Sequence, residues 1–230
     1  MAAPKITRRS LLTGTHGVSG PTIVIDTFRA FTTAAFLLGR GVDRIVLAET
    51  LAEARVRSLS TPDSILCGEE EGRRPDDFDL GNSPIEVERY DDPRGRVVVM
   101  RTSAGTRSVV SALRSGADPL YAASLVVAGA TASAVRSRTE VVIVASGLSG
   151  TTVADEDEET AGLIESRILG MPDDPGRLDR IRSGTGADRL TTTPWIDPED
   201  LDRCLEVDRF DFAMRAKLEG GLVALRREEV

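Results

Sequence analysis

The sequence predicts an α/β fold with a largely parallel or mixed central sheet covered by helices on both faces, in three α/β/α layers. Short β-branched runs alternate with segments of helical periodicity along most of the chain. The runs are continuously apolar, which is typical of strands buried on both faces. At 230 residues, we expect a single domain, with an irregular segment over 1–20 and a less regular part over 171–230.

The predicted elements follow one another in a regular order. The strands are predicted over 22–26, 44–48, 65–67, 96–100, 120–122 and 141–145. The helices are predicted over about 31–38, from 51, and over about 106–113, 131–136 and 157–169, with a last helix beginning near 200. Gly39 and Gly41 end the first helix, whereas Thr50 and Glu53 form a capping box at the start of the second. Pro198 has the position expected just inside a helix start.

Charge and composition argue against several classes of protein. The formal net charge of −8 is unlike the basic surface of a nucleic-acid-binding protein. Lys5 and Lys217 are the only lysines and His16 is the only histidine. Lysine-based covalent chemistry, a catalytic triad and a multi-histidine zinc site are therefore not expected. Cys67 and Cys204 have no metal-type spacing, and such a pair in a chain of this size is typical of a reduced, intracellular protein.

Targeting signals are not expected either. No apolar run approaches the roughly 20 residues of a membrane span. The pair Arg8-Arg9 is followed by no apolar stretch, so we expect no signal peptide. The sequence therefore predicts a cytoplasmic protein that binds neither a membrane nor a nucleic acid.

The loop after the first predicted strand carries the first candidate site. Ligands of parallel sheets bind outside the carboxyl ends of the strands, and Asp26 lies at such an end. Asp26 is placed either to bind a metal or to attack a phosphoryl group, and Arg29 to clamp an anion. Thr32 and Thr33 lie at a helix start, where backbone N–H groups favour phosphate. The alternative is an aspartate that merely caps the helix.

Three further loops follow predicted strands and carry polar residues. Glu69 is a candidate ligand for a hard cation, although a run of glutamates is more often a solvated loop. Residues 79–84 have the composition of an ordinary turn, and residues 102–107 combine hydroxyls, a glycine and a helix start into a plausible anion cradle. Asp157, at the start of an acidic helix, would either favour the helix dipole or complete a metal site with Asp26.

The order of these motifs resembles the 2-phosphosulfolactate phosphatase (ComB) family. The motifs are, in chain order, Asp26-x-x-Arg29-Ala30-x-Thr32-Thr33, Gly68-Glu69, Asp79-Leu80-Gly81-Asn82-Ser83-Pro84, Thr102-x-x-Gly105-Thr106-Arg107, and Ser146-Gly147-x-x-Gly150 followed by Glu156-Asp157. The resemblance covers about residues 22–169, and its most specific block runs from Asp79 to Pro84.

The resemblance implies a Mg²⁺-dependent phosphatase that hydrolyses the phosphoester of a small 2-phosphohydroxy acid such as 2-phosphosulfolactate. Carboxylates with Mg²⁺ are also the remaining route to phosphoryl chemistry in a chain without useful histidines or lysines. The expected catalytic residues are Asp26, Arg29 and Asp157, and the expected metal ligands are Asp26, Glu69 and Asp157. The expected contacts to substrate and phosphate are Thr32, Thr33, Asp79, Asn82, Ser83, Thr102, Gly105, Thr106, Arg107, Ser146 and Gly147.

The chain departs from the family pattern at several positions. Glu70 stands where the family has an arginine, Ala104 where it has an asparagine, Val127 where it has an asparagine, and Ala145 where it has a cysteine. The alternative function is therefore a non-catalytic or substrate-shifted relative that binds a small anionic ligand. The expected partner is a small anionic substrate; a homodimer is the assembly considered, and the sequence does not determine the oligomeric state.

Overall fold

The computed structural model describes residues 3–230. The strands are β1 (Lys5–Ser10), β2 (Gly20–Ile25), β3 (Arg44–Ala48), β4 (Ile65–Gly68), β5 (Val97–Arg101), β6 (Ala117–Ala123), β7 (Glu140–Ala145), β8 (Phe212–Glu219) and β9 (Leu222–Glu229). The helices are α1 (Ala30–Gly39), α2 (Leu51–Leu59), α3 (Pro84–Arg89), α4 (Gly105–Ser115), α5 (Ala128–Val135), α6 (Asp155–Leu169), α7 (Arg177–Arg182), α8 (Thr185–Thr192) and α9 (Asp200–Cys204). Short 3₁₀ turns cover Leu12–Thr15 and Leu125–Val127.

All of these strands belong to one mixed sheet. Its order is β1-β7-β2-β6-β8-β9-β3-β5-β4. Two parallel groups, β1-β7-β2-β6 and β3-β5-β4, flank the antiparallel hairpin β8–β9. The predicted fold class is confirmed: the sheet is mostly parallel, and the hairpin makes it mixed.

Alternate side chains along β3 show that both faces of the sheet are covered. Ile45 and Leu47 belong to the large hydrophobic core. Val46 and Ala48 point to the opposite face, where they join Ala54 of α2 in a second, smaller cluster. Because successive residues of a strand face opposite sides, this alternation requires a layer of packing on each side of the sheet. This explains why the strand is continuously apolar from Ile45 to Ala48.

The N-terminal segment corrects one expectation from the sequence. Residues 5–10 of the predicted irregular segment form β1, which pairs in parallel with β7 along its whole length. The strand lies at the edge of the sheet and carries the charged residues Arg8 and Arg9. Charged side chains are common on edge strands. This strand therefore lacks the continuous apolar run by which a buried strand is predicted from sequence. Met1 and Ala2 lie outside the described residues.

The C-terminal part is also more regular than predicted. Its strands β8 and β9 pair over eight residue pairs, from Phe212 with Glu229 to Glu219 with Leu222. Gly220 and Gly221 join them with φ angles of 57° and 82°, the left-handed conformation that a tight two-residue hairpin requires at both positions. A Gly-Gly pair between two β-strand-like segments is a sequence pattern that predicts a hairpin. The hairpin lies in the middle of the sheet.

The loops that carry the candidate site meet although their strands are not neighbours. Four strands lie between β2 and β5, so their ends would be about 24 Å apart in a flat sheet. Yet a Cβ built on Gly105, at the start of α4, would lie 2.8 Å from Oδ2 of Asp26, just beyond β2. The loop after β5 and the start of α4, which packs against β2, β3 and β8, therefore reach across the sheet to Asp26. None of the helices within residues 3–230 is both long enough and apolar enough to cross a membrane.

Candidate active site

A cavity of about 360 Å³ opens at the carboxyl ends of the parallel strands. Its walls come from the loops after β2, β4, β5 and β7, and from the segment that includes α8 and the residues that follow it. The lining residues are Asp26, Phe28, Arg29, Glu69, Glu71, Gly72, Asn82, Thr102, Ser103, Ala104, Gly147, Leu148, Ser149, Arg189, Leu190, Thr193, Trp195 and Ile196. This is the edge of the sheet at which the sequence predicted a ligand site.

Two buried carboxylates lie at this edge of the sheet: Asp26 lines the cavity, whereas Asp157 is buried behind the wall and does not line it. Asp26 follows β2 directly, and its Oδ1 accepts a hydrogen bond of 3.2 Å from the backbone N–H of Ala30 at the start of α1. Asp157 lies in the first turn of α6, where it accepts hydrogen bonds from the backbone N–H groups of Thr27 (2.7 Å) and Gly147 (2.8 Å). Asp157 therefore connects the start of α6 to the loops after β2 and β7.

The two carboxylates disfavour each other's charge. Burial, opposed in part by the Ala30 N–H, raises the pKa of Asp26 from 3.8 to about 7, and the negative charges of Glu69 and Glu156 add to the rise. Burial also raises the pKa of Asp157 well above 3.8, and the charge of Asp26 is its next largest cause. Within residues 3–230, no lysine, arginine or histidine forms a salt bridge with either group. Without a cation, the two carboxyl groups therefore favour their neutral form, and a bound cation would favour the charged form.

Glu69 is held by the backbone of its own loop and of the next one. Its Oε1 accepts a hydrogen bond from the Ser103 N–H (2.5 Å), and its Oε2 accepts from the Gly72 N–H (2.6 Å) and the Ser103 hydroxyl (3.1 Å). Ser103 was not singled out in the sequence. Glu69 therefore orders the cavity wall formed by the loops after β4 and β5.

The donor set can be compared with what a hard cation requires. Across the described residues 3–230, no three His, Cys, Asp or Glu side chains are grouped closely enough to form a metal-binding cluster. The three-ligand set Asp26, Glu69 and Asp157 therefore does not form such a cluster. However, Mg²⁺ commonly uses only one or two carboxylates, with water and substrate oxygens as its other ligands. The carboxylate oxygens of Asp26, which lines the cavity, and of Asp157, buried behind it, fit that mode.

Arg29 lines the cavity but is anchored beneath it. Its guanidinium donates to Oδ2 of Asp200 at 2.5 Å, and both side chains are buried. Asp200 also accepts hydrogen bonds from the hydroxyl of Ser83 (2.6 Å) and the N–H of Ile85 (3.1 Å). Asp200 has no predicted role in the site, because it stands in an acidic run that is typical of a helix start. The one hint in the sequence was Arg29, a cation just beyond a predicted buried strand, which would need an acidic partner such as Asp200 if it were buried.

Several predicted site residues are brought together at the cavity. Those that line it are Asp26, Arg29, Glu69, Asn82, Thr102 and Gly147. Oδ1 of Asn82 is buried and has no hydrogen-bond partner among residues 3–230. A buried amide without a partner is costly in a folded protein. Asn82 therefore offers an unused polar group to whatever occupies the cavity.

Two predicted residues support the cavity wall from behind. Gly105 packs against Asp26 and Ala30, where a Cβ would lie 2.8 Å from Oδ2 of Asp26. Thr106 exchanges hydrogen bonds with Thr102: each backbone N–H donates to the other residue's Oγ1, at 3.0 and 3.2 Å. This arrangement fixes the start of α4 next to Asp26.

The remaining predicted contacts do not line the cavity. These residues are Thr32, Thr33, Asp79, Ser83, Arg107 and Ser146. Ser83 caps α3 by accepting the Glu86 N–H, so the turn sequence from Asp79 to Pro84 is also a helix start. Asp79 is exposed and accepts the Leu66 N–H at the sheet edge. The Oγ atoms of Thr33 and Ser146 are buried without a partner within the described part of the chain.

The family departures occupy different positions relative to the cavity. Glu70 is exposed and exchanges backbone hydrogen bonds with Arg73, and its neighbour Glu71 is the one that lines the cavity. Ala104 lines the cavity as well. Of these two departures from the family pattern, Ala104 thus lies in the cavity wall and Glu70 outside it.

Comparisons with known proteins show the family to which the chain belongs. The family described as 2-phosphosulpholactate phosphatase matches residues 9–180. Proteins named "Probable 2-phosphosulfolactate phosphatase" from Deinococcus radiodurans and Pseudothermotoga lettingae are 39% and 35% identical over 154 and 158 residues, or 66% and 69% of this chain. These matches span 62% and 66% of the two relatives, a little under two thirds of their length.

A third relative extends the similarity over nearly the whole chain. The protein of the same name from Bacillus subtilis is 30% identical over 213 residues, which cover 89% of this chain and 90% of that one. The matched region contains every loop that forms the carboxylate side of the cavity. On these grounds, the chain belongs to the 2-phosphosulfolactate phosphatase family.

Proposed function

We propose that this protein is a Mg²⁺-dependent phosphatase that releases phosphate from a small 2-phosphohydroxy acid, with 2-phosphosulfolactate as the first candidate substrate. The observation that carries the proposal is the pair Asp26 and Asp157, two buried carboxylates without a cationic partner in the described residues. Families of phosphoryl-transfer enzymes neutralise phosphoryl charge with metal ions held by such groups. The names of the relatives support the same reaction class.

Asp26 and Asp157 would hold the Mg²⁺ ion, with Glu69 as a third residue at the cavity wall. When bound, the ion would neutralise charge on the phosphoryl oxygens and make a bound water more acidic. The hydrogen bonds to Asp157 from Thr27 and Gly147 would keep its carboxylate oriented. Asp26 has two possible roles, as a metal ligand or as the nucleophile that attacks phosphorus.

The other cavity residues would bind and orient the substrate. The unpartnered amide oxygen of Asn82 is available as an acceptor for a substrate hydroxyl or a bound water. Arg29 donates from one guanidinium nitrogen to Asp200 and, at 3.4 Å, from another to the carbonyl oxygen of Gly72, and its remaining N–H groups would be offered to an anion. Cys67 and Cys204 are free and buried, which supports a reducing compartment such as the cytoplasm. A homodimer stays a prediction.

A phosphate-release screen tests the proposal. The purified protein is assayed against a panel of phosphorylated 2-hydroxy acids, with Mg²⁺ and with EDTA, and inorganic phosphate is measured. We expect release in Mg²⁺ only, and its loss in Asp26→Asn. Asp91→Asn removes an exposed carboxylate far from the cavity wall and should behave as the wild type. Binding of a hydroxy acid without any phosphate release would favour the non-catalytic alternative.

A further inference from the structure

The side of the cavity opposite the carboxylates is formed by the C-terminal part of the chain. Arg189, Leu190, Thr193, Trp195 and Ile196 all line it, and all lie beyond residue 180, where the family match ends. These residues combine one cation with apolar side chains. This side of the cavity, 189–196, is here called the C-terminal wall.

Arg189 makes no direct polar contact with the described residues, although its charge lies near enough to Glu156 to oppose the rise in the pKa of that carboxyl that burial causes. Two arginines line the cavity, and Arg29 is committed to the buried ion pair with Asp200. By contrast, the Arg189 side chain forms no hydrogen bond or ion pair with any of residues 3–230. Most of the other arginines of the chain do pair with carboxylates or carbonyls. Arg189 is therefore the guanidinium in the cavity whose hydrogen-bonding capacity is fully available to a ligand.

The position of Arg189 is fixed by the way α8 packs on α6. A Cβ built on Gly186 would lie 2.5 Å from the carboxylate of Glu156, so the absence of a side chain lets the α8 backbone approach the start of α6. Glu156 is buried next to Asp157. Arg189 follows Gly186 by three residues, which places the two on the same side of the helix. The arginine is thereby held over the cavity by a close backbone contact.

A contact across the cavity mouth holds the other end of the C-terminal wall. The guanidinium of Arg73 stacks on the ring of Trp195, with 5.1 Å between the guanidinium carbon and the ring centroid. Arg73 belongs to the loop after β4, which also carries Glu69. This cation–π contact connects the C-terminal wall to the carboxylate side of the cavity. Arg189 therefore faces a cavity of defined width.

We propose that Arg189 is a specificity-determining residue that binds the acid group of the substrate remote from the phosphoester, a carboxylate or a sulfonate. The inference rests on the proposed function, because a 2-phosphohydroxy acid carries such a group on its carbon skeleton. A planar guanidinium suits a planar carboxylate or the oxygens of a sulfonate through paired N–H donors. Leu190 and Ile196, next to it in the wall, suit the short carbon chain between the two acid groups.

Three substrates separate the contributions of the acid groups. They are 2-phosphosulfolactate, 2-phospholactate, which lacks the sulfonate, and isopropyl phosphate, which lacks both acid groups. The variant is Arg189→Gln, and Arg182→Gln is the matched control, because Arg182 is an exposed arginine of the neighbouring helix α7 that pairs with Asp202. The readout is kcat/KM for phosphate release.

We expect Arg189→Gln to lower kcat/KM for 2-phosphosulfolactate by about tenfold or more, as for the loss of a charged hydrogen bond, and to change isopropyl phosphate less than about twofold. A matching loss on 2-phospholactate identifies the carboxylate as the bound group, whereas no loss there identifies the sulfonate. Equal losses on all three substrates, or no loss on any, would overturn the assignment.

A binding measurement keeps the inference separate from the proposed function. Titration calorimetry with the dephosphorylated product sulfolactate requires no turnover. Weaker binding by Arg189→Gln than by the wild type and Arg182→Gln supports the inference even if no substrate is hydrolysed. Unchanged affinity in Arg189→Gln contradicts it, even if phosphatase activity is found.

Discussion

The buried carboxylate of Asp26 predicts how stability depends on pH when no metal is present. Its pKa is raised to about 7 in the folded protein from 3.8, so the folded state binds more protons than the unfolded state between these values. The free energy of unfolding should therefore fall as the pH rises through this window, and the penalty is complete above it. A shift from 3.8 to about 7, at about 1.4 kcal/mol per pKa unit, amounts to on the order of 4 kcal/mol.

Asp26→Asn should remove most of this penalty. The oxygen of the asparagine side chain can still accept a hydrogen bond from the Ala30 N–H. Its NH₂ group, which replaces the second carboxylate oxygen, cannot accept the backbone hydrogen bond of Gly105. The loss of this hydrogen bond costs about 1–1.5 kcal/mol. The variant should thus be more stable than the wild type at pH 8 by on the order of 3 kcal/mol. At pH 4, where almost no penalty remains, the lost hydrogen bond should leave the variant less stable by about 1 kcal/mol.

Urea unfolding in EDTA at several pH values measures both effects. The free energy of unfolding of the wild type should fall more steeply between pH 5 and 8 than that of Asp26→Asn. Asp91→Asn, an exposed aspartate, should follow the wild type. If Asp26→Asn unfolds more easily than the wild type at pH 8, with the same pH dependence, the carboxylate is not held at an energetic cost and the reasoning fails.

Two further substitutions test the framework around the site. Arg29→Met leaves Asp200 buried without its cation. We expect the free energy of unfolding to fall by about 3–5 kcal/mol. A fall below about 1 kcal/mol would show that the ion pair is dispensable. Gly105→Ala would place a Cβ 2.8 Å from Oδ2 of Asp26, so phosphate release should drop by about tenfold or more as the carboxylate moves. In the control Gly162→Ala, the atom nearest to the new Cβ is the end of the Arg177 side chain, so activity should be retained. Equal effects of the two glycine substitutions on phosphate release would contradict the importance of the close contact between Gly105 and Asp26.

The sequence predicted the parts of the fold that depend on local signals. The continuously apolar runs at β2, β3, β5 and β7 identified buried parallel strands, and the strand ends identified the loops that form the site. Asp26, Glu69 and Asn82 line the cavity, as this rule predicts. These features could be predicted because strand burial and the position of ligand sites follow from the alternation of strands and helices.

The parts that were missed depend on contacts between distant segments. The edge strand β1 has no apolar run because solvent reaches it, and its pairing with β7 is visible only in the fold. The burial of Asp200 beneath Arg29 joins residues far apart in the chain. Likewise, nothing in the sequence around Arg189 places it in the wall of a cavity built mainly from the first half of the chain. Contacts of this kind arise from tertiary packing, which local periodicity does not encode.

The most direct test of the central claim is the kcat/KM for phosphate release from 2-phosphosulfolactate at saturating Mg²⁺. The measurement compares the wild type with Asp26→Asn, Asp157→Asn and the control Asp91→Asn. If the two buried carboxylates form the catalytic centre, each of the first two variants should lose at least about a hundredfold, while the control keeps wild-type activity. Activity within about threefold of the wild type in both Asp26→Asn and Asp157→Asn would contradict the account.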